Sequence, residues 1–405
     1  MKRLSVLYRG WGECWPLATL ADDGARLLFE YTEEALRQRL ELSPYLLKLQ
    51  RAAYGHFPDH LMRLPGLVAD CLPDGWGLLL MDRTFRKLGM KQVSPLDRLT
   101  LIGDKAMGAL AFAPANEDAL PDEEVNLLEV ARSVGTVLDG RDVDVLQQLI
   151  LLGGTPHGAR PKALVYYDPV TQVMRTHGDG AGAPWLIKFP AREEHKDACA
   201  LEHAYAACAA DCLLEMPATA HFDLGRQYAA FGIKRFDRQA GMRVPMHTLA
   251  GLLHADFRLP SVDYTTFLRA TRFLTHDERE VEKAYRRAVF NVVFNNRDDH
   301  TKNFAYCLDE HRHWKLAPAY DLSFNAGPGG EHQMDICGEG RTPGKTNLLK
   351  LAAEAGVASG GAHAVIDQIT TIAEGIKTRL TDYPIRQVRQ REVAAAIAAN
   401  LARFG

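Results

Sequence analysis

The sequence predicts an α+β protein in two lobes, a small sheet lobe followed by a helical lobe, behind an amino-terminal α/β subdomain. Three observations carry this. Strand-like runs open the chain, Leu4 to Tyr8 and Ala25 to Tyr31, set around the turn residues Asp22-Asp23-Gly24. From Gly153 the order is a glycine-rich turn, a β run Ala163 to Tyr167, a second strand Trp185 to Phe189, a helix Ala198 to Leu214 and a third strand Tyr228 to Phe236. Beyond Asp263 the pattern is helical to Phe294, and an alanine-rich helical tail runs from Leu351 to Phe404.

The remaining elements follow in order. Thr32 to Leu40 and Trp76 to Leu88 have helical periodicity. Pro114 to Glu124 is rich in Pro, Asp, Glu and Asn and reads as a linker. Val125 to Leu152 is mostly helical, and Arg175 to Pro184 is a glycine-filled loop. The predicted units are therefore 1–113, a linker 114–124, a sheet lobe 125–237 and a helical lobe 238–405.

Composition narrows the class. At 405 residues, with 24% charged residues and a net charge of −3, the chain has the makeup of an ordinary globular protein and no overall basic footprint for nucleic acid. Its seven cysteines are irregularly spaced, which suits reduced thiols in cytosol better than a disulfide framework. Cys208 and Cys212 share a helical face, but no partner pair at zinc spacing follows. The start passes straight into a strand-like run without a signal-peptide core, and no stretch approaches a membrane span, so a cytoplasmic protein is expected.

The strongest chemical signal is Asn296-Arg297-Asp298-Asp299-His300-Thr301-Lys302-Asn303, followed after a short strand by Ala319-Tyr320-Asp321. An Asp with an Asn five positions on, then a second Asp, is the arrangement kinases use. The first Asp takes the hydroxyl proton, and the Asn and second Asp hold magnesium against nucleotide phosphates. Two readings compete: a surface turn rich in Asp and Asn, and a metal hydrolase using Asp298, Asp299 and His300. The second needs another His-Asp cluster, and His311 and His313 fall in an apparent hairpin turn.

Upstream motifs fit the first reading. Gly153 to Lys162 precedes a strand; its small residues let backbone N–H groups approach phosphate, and Arg160 and Lys162 add positive charge. The alternative is a β-turn with two solvated cations. Lys188 lies between bulky apolar residues in a strand and needs a partner, for which Glu202 on the next helix is the natural candidate; otherwise it is an outward-facing edge lysine. Phe231 to Asp237 reads either as a hinge meeting adenine or as an ordinary strand with a charged end. Gly-loop, strand, strand, helix, strand, helices, Asp loop, strand, Asp is the element order of a two-lobed protein-kinase-like or lipid-kinase-like fold.

Taken together, these residues resemble the HipA family, the serine/threonine kinases of type II toxin–antitoxin modules. The resemblance spans nearly the whole chain. It is carried by Gly66 to Gly77, Leu101 to Leu110, Gly158 to Lys162, Trp185 to Pro190, Arg235 to Arg238, Asp298 to Asn303 and Leu316 to Leu322, in family order. It implies a HipA-type amino-terminal subdomain, then a nucleotide-binding lobe and a catalytic lobe. It implies ATP and Mg2+ as cofactors, with Asp298 as the base, Asn303 and Asp321 on the metal, and His300 steadying the loop or the transferring phosphoryl. His157, Gly158, Ala159, Arg160 and Lys162 would form the phosphate loop and Lys188 would meet the phosphates. Lys234, Arg235 and Phe236 would form the adenine hinge, with Tyr320 beside the nucleotide. The family can silence itself by phosphorylating a serine in the phosphate loop; the matching position here is a threonine, Thr155.

The resemblance also implies partners: a separate helix-turn-helix antitoxin chain, operator DNA through that antitoxin, and a cytosolic protein substrate. The best-known member phosphorylates a glutamyl-tRNA synthetase, and substrates differ between members, so an aminoacyl-tRNA synthetase is one candidate class. Two functions stand side by side, an active kinase toxin and a catalytically silent, kinase-shaped corepressor. The intact set Lys188, Asp298, Asn303 and Asp321 favours the first.

Overall fold

The computed structural model describes residues 2–115, 121–140, 149–150, 152, 156–178 and 182–405. The fold is two-lobed and kinase-like, α+β, with an amino-terminal subdomain packed against both lobes. Five antiparallel-paired strands form the first sheet: β1 (Lys2–Tyr8), β2 (Trp15–Asp22), β3 (Leu27–Tyr31), β4 (Ala53–Tyr54) and β5 (Leu110–Ala113), in the order β4-β3-β2-β1-β5. Alternation makes β1 a strand, since Leu4, Val6 and Tyr8 are buried while Arg3 and Ser5 face outward. The sequence reading passed over β2. Pro16 breaks its pattern, and the ladder accommodates it where the register shifts between Val6 and Leu7.

The second sheet contains β6 (Lys162–Tyr167), β7 (Met174–Arg175), β8 (Ala183–Lys188), β9 (Thr219–Asp223) and β10 (Ala229–Lys234), ordered β7-β6-β8-β10-β9. The helix Asp197–Asp211 packs on β9 and β10. It is buried on most of its circumference because the helical lobe covers its far side, with Tyr205 donating to the Phe294 carbonyl at 2.8 Å. The expected linker is docked at its end: Val125 N–H donates to the Met174 carbonyl and Thr176 N–H to that of Glu123.

In the helical lobe, the expected run Asp263 to Phe294 is two helices, Tyr264–Thr275 and Glu278–Val293. His276 adopts the left-handed conformation (φ 53°) and Asp277 caps the second helix through Arg279 N–H, so the chain reverses there. The expected tail divides into the end of the helix Lys345–Glu354 and the helices Ser359–Glu374, Ile376–Arg379 and Gln387–Leu401; Pro384 stands in the gap before the last. Strands β11 (Arg238–Gln239) and β12 (Met242–Arg243) form a small ribbon. Beyond it, β13 (Met246–Thr248), β14 (Ala305–Leu308) and β15 (Trp314–Leu316) form a sheet whose β14 directly follows the Asp298 loop. Among the described residues no helix is long and apolar enough to cross a membrane.

Candidate active site

A cavity of about 840 Å³ lies between the lobes, within the usual size range of small-molecule sites. Its sheet side is set by strand register. Lys162 on β6 and Lys188 on β8 are directly opposed, so both side chains project from the same face, and both are buried. Two like charges at that spacing repel. Lys188 is relieved by two carboxylates: Nζ donates to Glu202 Oε1 at 2.5 Å and to Asp321 Oδ1 at 2.6 Å. Burial alone would lower its pKa, but Asp321 and Glu202 outweigh burial and raise it. Among the described residues, Lys162 donates only to the Arg160 carbonyl, at 3.2 Å. Burial therefore pushes its pKa down to about 8, with Asp321 opposing and Lys188 adding to the fall.

Glu202 is shared. Its second oxygen takes Arg160 at 2.8 Å, and Arg160 also pairs with Glu194. Arg160 is one of the two cations expected to bring positive charge here. Its guanidinium is already bound between two carboxylates, and Lys162 is the cation with less neutralisation.

The helical side presents Asp298, His300, Asn303 and Asp321 to the same cavity. A 3-10 turn over Thr301–Asn303 closes the loop, and Asn303 Nδ2 donates to the Asp298 carbonyl at 2.6 Å, which leaves the amide oxygen as its remaining acceptor. Asp298 keeps half its side chain exposed, and His300 Nε2 lies 3.9 Å from it. Burial raises the Asp298 pKa, His300 works against that rise, and Asp321 and Asp299 add to it. Asp321 is left-handed (φ 58°), a region Asp tolerates better than most residues. Burial opposes its ionisation, but Lys188, Lys162 and Arg160 prevail and hold its pKa well below the usual carboxylate range.

The loop has a floor that sequence reasoning missed. Asp299 is fully buried and accepts from His332 Nδ1 at 2.7 Å, Tyr264 OH at 2.8 Å and Gln333 N–H at 2.7 Å. Neighbours in sequence, Asp298 and Asp299 thus face opposite ways, one to the cavity and one to the core. His311 and His313 lie exposed in the turn between β14 and β15, as their hairpin context predicts.

The hinge candidates line the cavity too. Lys234 N–H donates to the Ala218 carbonyl and Arg235 N–H to that of Pro184, so a base edge there would have to use other backbone groups of the segment. The Arg235 guanidinium is turned onto Asp237, at 2.7 and 2.8 Å. Phe236 and Tyr320 have ring centroids 5.4 Å apart at 31°, and Tyr320 OH donates to the Lys302 carbonyl at 2.7 Å. His157, Gly158 and Ala159 form the opposite lip; Nε2 of His157 is buried and has no partner among the described residues. Burial, then Lys302, brings the His157 pKa down to about 4, so the ring is neutral at pH 7. Thr155 lies outside the described residues.

The donor set fits a nucleotide with a hard cation. Lys162 and Lys188 suit phosphate oxygens, and Asn303 and Asp321 offer oxygen ligands. Among the described residues no group of three or more His, Cys, Asp or Glu could hold a metal alone.

The description "HipA N-terminal domain" matches residues 11–113, and "HipA-like C-terminal domain" matches residues 154–376. Y4dM of Sinorhizobium fredii, a protein with kinase in its name, is 25% identical over 355 residues, 80% of this chain and 78% of that one. HipA of Shewanella oneidensis MR-1, solved with HipB and its operator DNA, superposes with a TM-score of 0.70 at 18% identity, covering 98% of this chain and 96% of that one. With its carboxyl-terminal match alone spanning more than half of the sequence, the chain belongs to the HipA family.

Proposed function

We propose that the chain is an ATP- and magnesium-dependent serine/threonine protein kinase, the toxin of a toxin–antitoxin module, acting on a cytoplasmic protein. The observation that carries this is the convergence of Lys188, Asp298, Asn303 and Asp321 on one cavity, with Lys188 joined to Glu202. Asp298 takes the proton of the substrate hydroxyl as the hydroxyl oxygen bonds to the γ-phosphorus and the bond from that phosphorus to the β–γ bridging oxygen breaks, releasing ADP. Its partial exposure leaves room for a substrate side chain to approach. Lys188 and Lys162 neutralise phosphate oxygens, and Lys188 also keeps Asp321 ionised and aimed inward. Asn303 and Asp321 would hold magnesium, which supplies charge neutralisation on the phosphates. His300 supports the loop beside Asp298.

A separate antitoxin and, through it, operator DNA are proposed as partners; the Shewanella HipA complex has such a composition. A cytoplasmic setting agrees with seven unpaired cysteines. Thr155 is proposed as a self-phosphorylation site on its sequence position, three residues before Gly158.

The test is incubation of purified chain with labelled ATP and magnesium, alone and with cell extract. Asp298→Gln is expected to cut transfer by about a hundred- to ten-thousandfold while nucleotide binding persists. Transfer at the wild-type rate by that variant would remove Asp298 from its role. Nucleotide binding by the wild type with no transfer to any protein would favour the silent corepressor instead. Mass spectrometry of the same sample reads Thr155; an active preparation without phosphate there ends the self-modification proposal.

A further inference from the structure

Asp74 stands at the amino-terminal end of the helix Gly75–Lys87, in the amino-terminal subdomain. An Asp at that position ordinarily turns its carboxylate back to cap its own helix. Here it makes no such bond. One oxygen accepts the Gly158 N–H of the phosphate loop, and the other takes Lys302 Nζ of the catalytic loop at 3.0 Å. The carboxylate is buried, and both partners lie in segments that line the cavity.

The helix end grips Gly158 from two sides. Trp76 N–H donates to the Gly158 carbonyl at 3.3 Å, so both backbone groups of that residue are held by Asp74 and Trp76. The approach is close: a Cβ on Gly75 would stand 2.6 Å from Ala159 Cα and 2.8 Å from the Gly158 carbonyl oxygen. Lys302 is fixed further by the Phe257 ring, 4.4 Å from Nζ, and its carbonyl accepts from Tyr320. Its neighbour Asn303 holds the Asp298 carbonyl.

We propose that Asp74 is a positioning residue that fixes the phosphate loop and the catalytic loop relative to each other, making the amino-terminal subdomain a working part of the active site. The inference rests on the kinase reading for its rate measurements, but not for its hydrogen-exchange measurement. Displacement of the subdomain would then release both loops together, giving a partner bound there a route to the catalytic centre.

Asp74→Ala, Asp74→Asn and Lys302→Met, made in the full chain, test this. Asp74→Ala removes both bonds and is expected to raise the KM for ATP and lower kcat, each by about ten- to a hundredfold. Asp74→Asn can still accept from Gly158 N–H but cannot pair with the ammonium. It should lower kcat while the KM for ATP changes by less than about threefold. Lys302→Met should reproduce that kcat loss, and the Asp74→Asn/Lys302→Met double variant should be no worse than either single one. Wild-type KM and kcat in Asp74→Ala, or fully additive losses in the double variant, overturn the proposal. If Asp74→Ala fails to fold, the near-isosteric Asn variant and the Lys302 variant carry the test. If the wild type transfers no phosphate, the kinase reading fails on its own. Hydrogen exchange over 156–162 and 298–303 then decides: faster exchange in both segments of an Asp74 variant supports the clamp, and unchanged exchange in the catalytic loop refutes it.

Discussion

Residue by residue, the site is a problem in charge compensation. Lys188, Lys162 and Arg160 face Glu202, Asp321 and Glu194 in a region largely shut off from water, and each carboxylate's orientation follows from which cation it can reach. Glu202 matters most because it serves two cations. Glu202→Gln would leave Lys188 with Asp321 and Arg160 with Glu194, so neither cation is wholly abandoned. A destabilisation of about 1–3 kcal/mol is expected, read by urea unfolding, together with weaker nucleotide binding. Stability equal to wild type would mean that Glu202 contributes no net attraction. Asp321→Asn should lower magnesium-dependent nucleotide affinity more than magnesium-independent affinity, measured by titration with and without the cation. The Lys188–Glu202 pair was legible because a strand lysine among apolar residues requires a counter-charge. Asp74 was not, since Pro73-Asp74-Gly75 reads as an ordinary helix start and its true partners are far away in sequence.

Among the elements, periodicity exposed most of the strands and helices around the site, because each buries one face. What it missed has local causes. Pro16 hid β2, and the break at His276 was invisible because the apolar pattern continues on both sides of it. The break has a consequence for the Asp298 loop. It lets the helix Tyr264–Thr275 fold back beneath it, where Tyr264 bonds Asp299 and the Phe267 ring packs against that of Phe304, centroids 4.4 Å apart at 52°. Phe304 directly follows Asn303, so this contact supports the loop from below. Phe267 is fully buried, and Phe267→Ala is expected to cost about 3–5 kcal/mol in denaturant unfolding. A loss below 1 kcal/mol would mean that the surrounding side chains collapse into the space.

For the molecule as a whole, the amino-terminal subdomain is joined to the rest by buried polar contacts that no local pattern could announce. Ser43, His247 and Asp70 form a hydrogen-bonded chain at 3.0 and 2.6 Å, and Ser43 and His247 are fully buried, so this trio pins two domains together rather than meeting a substrate. A second pin centres on Asp237. It accepts from Arg235, Arg238 and the Gly108 N–H, while Arg238 and Arg243 donate to the carbonyls of Ala106 and Gly108. The motifs Gly66 to Gly77 and Leu101 to Leu110 were legible only through resemblance, and this seam gives them a physical role.

The Asp237 seam has a definite acid response. Burial alone would raise the Asp237 pKa, but Arg235 and Arg238 overcome it and hold it far below the ordinary carboxylate value. A folded-state pKa below the unfolded one means that the stabilisation is complete above the unfolded value, about 3.9, and is lost progressively as pH falls beneath it. Asp237→Asn removes the charge at every pH and leaves arginines buried without it, so it should cost about 3–5 kcal/mol at neutral pH. The gap in melting temperature between wild type and Asp237→Asn should therefore stay level from neutral pH down to about 4 and narrow below it. A gap that stays constant into more acid solution would show that the carboxylate's charge is not what holds the subdomain in place.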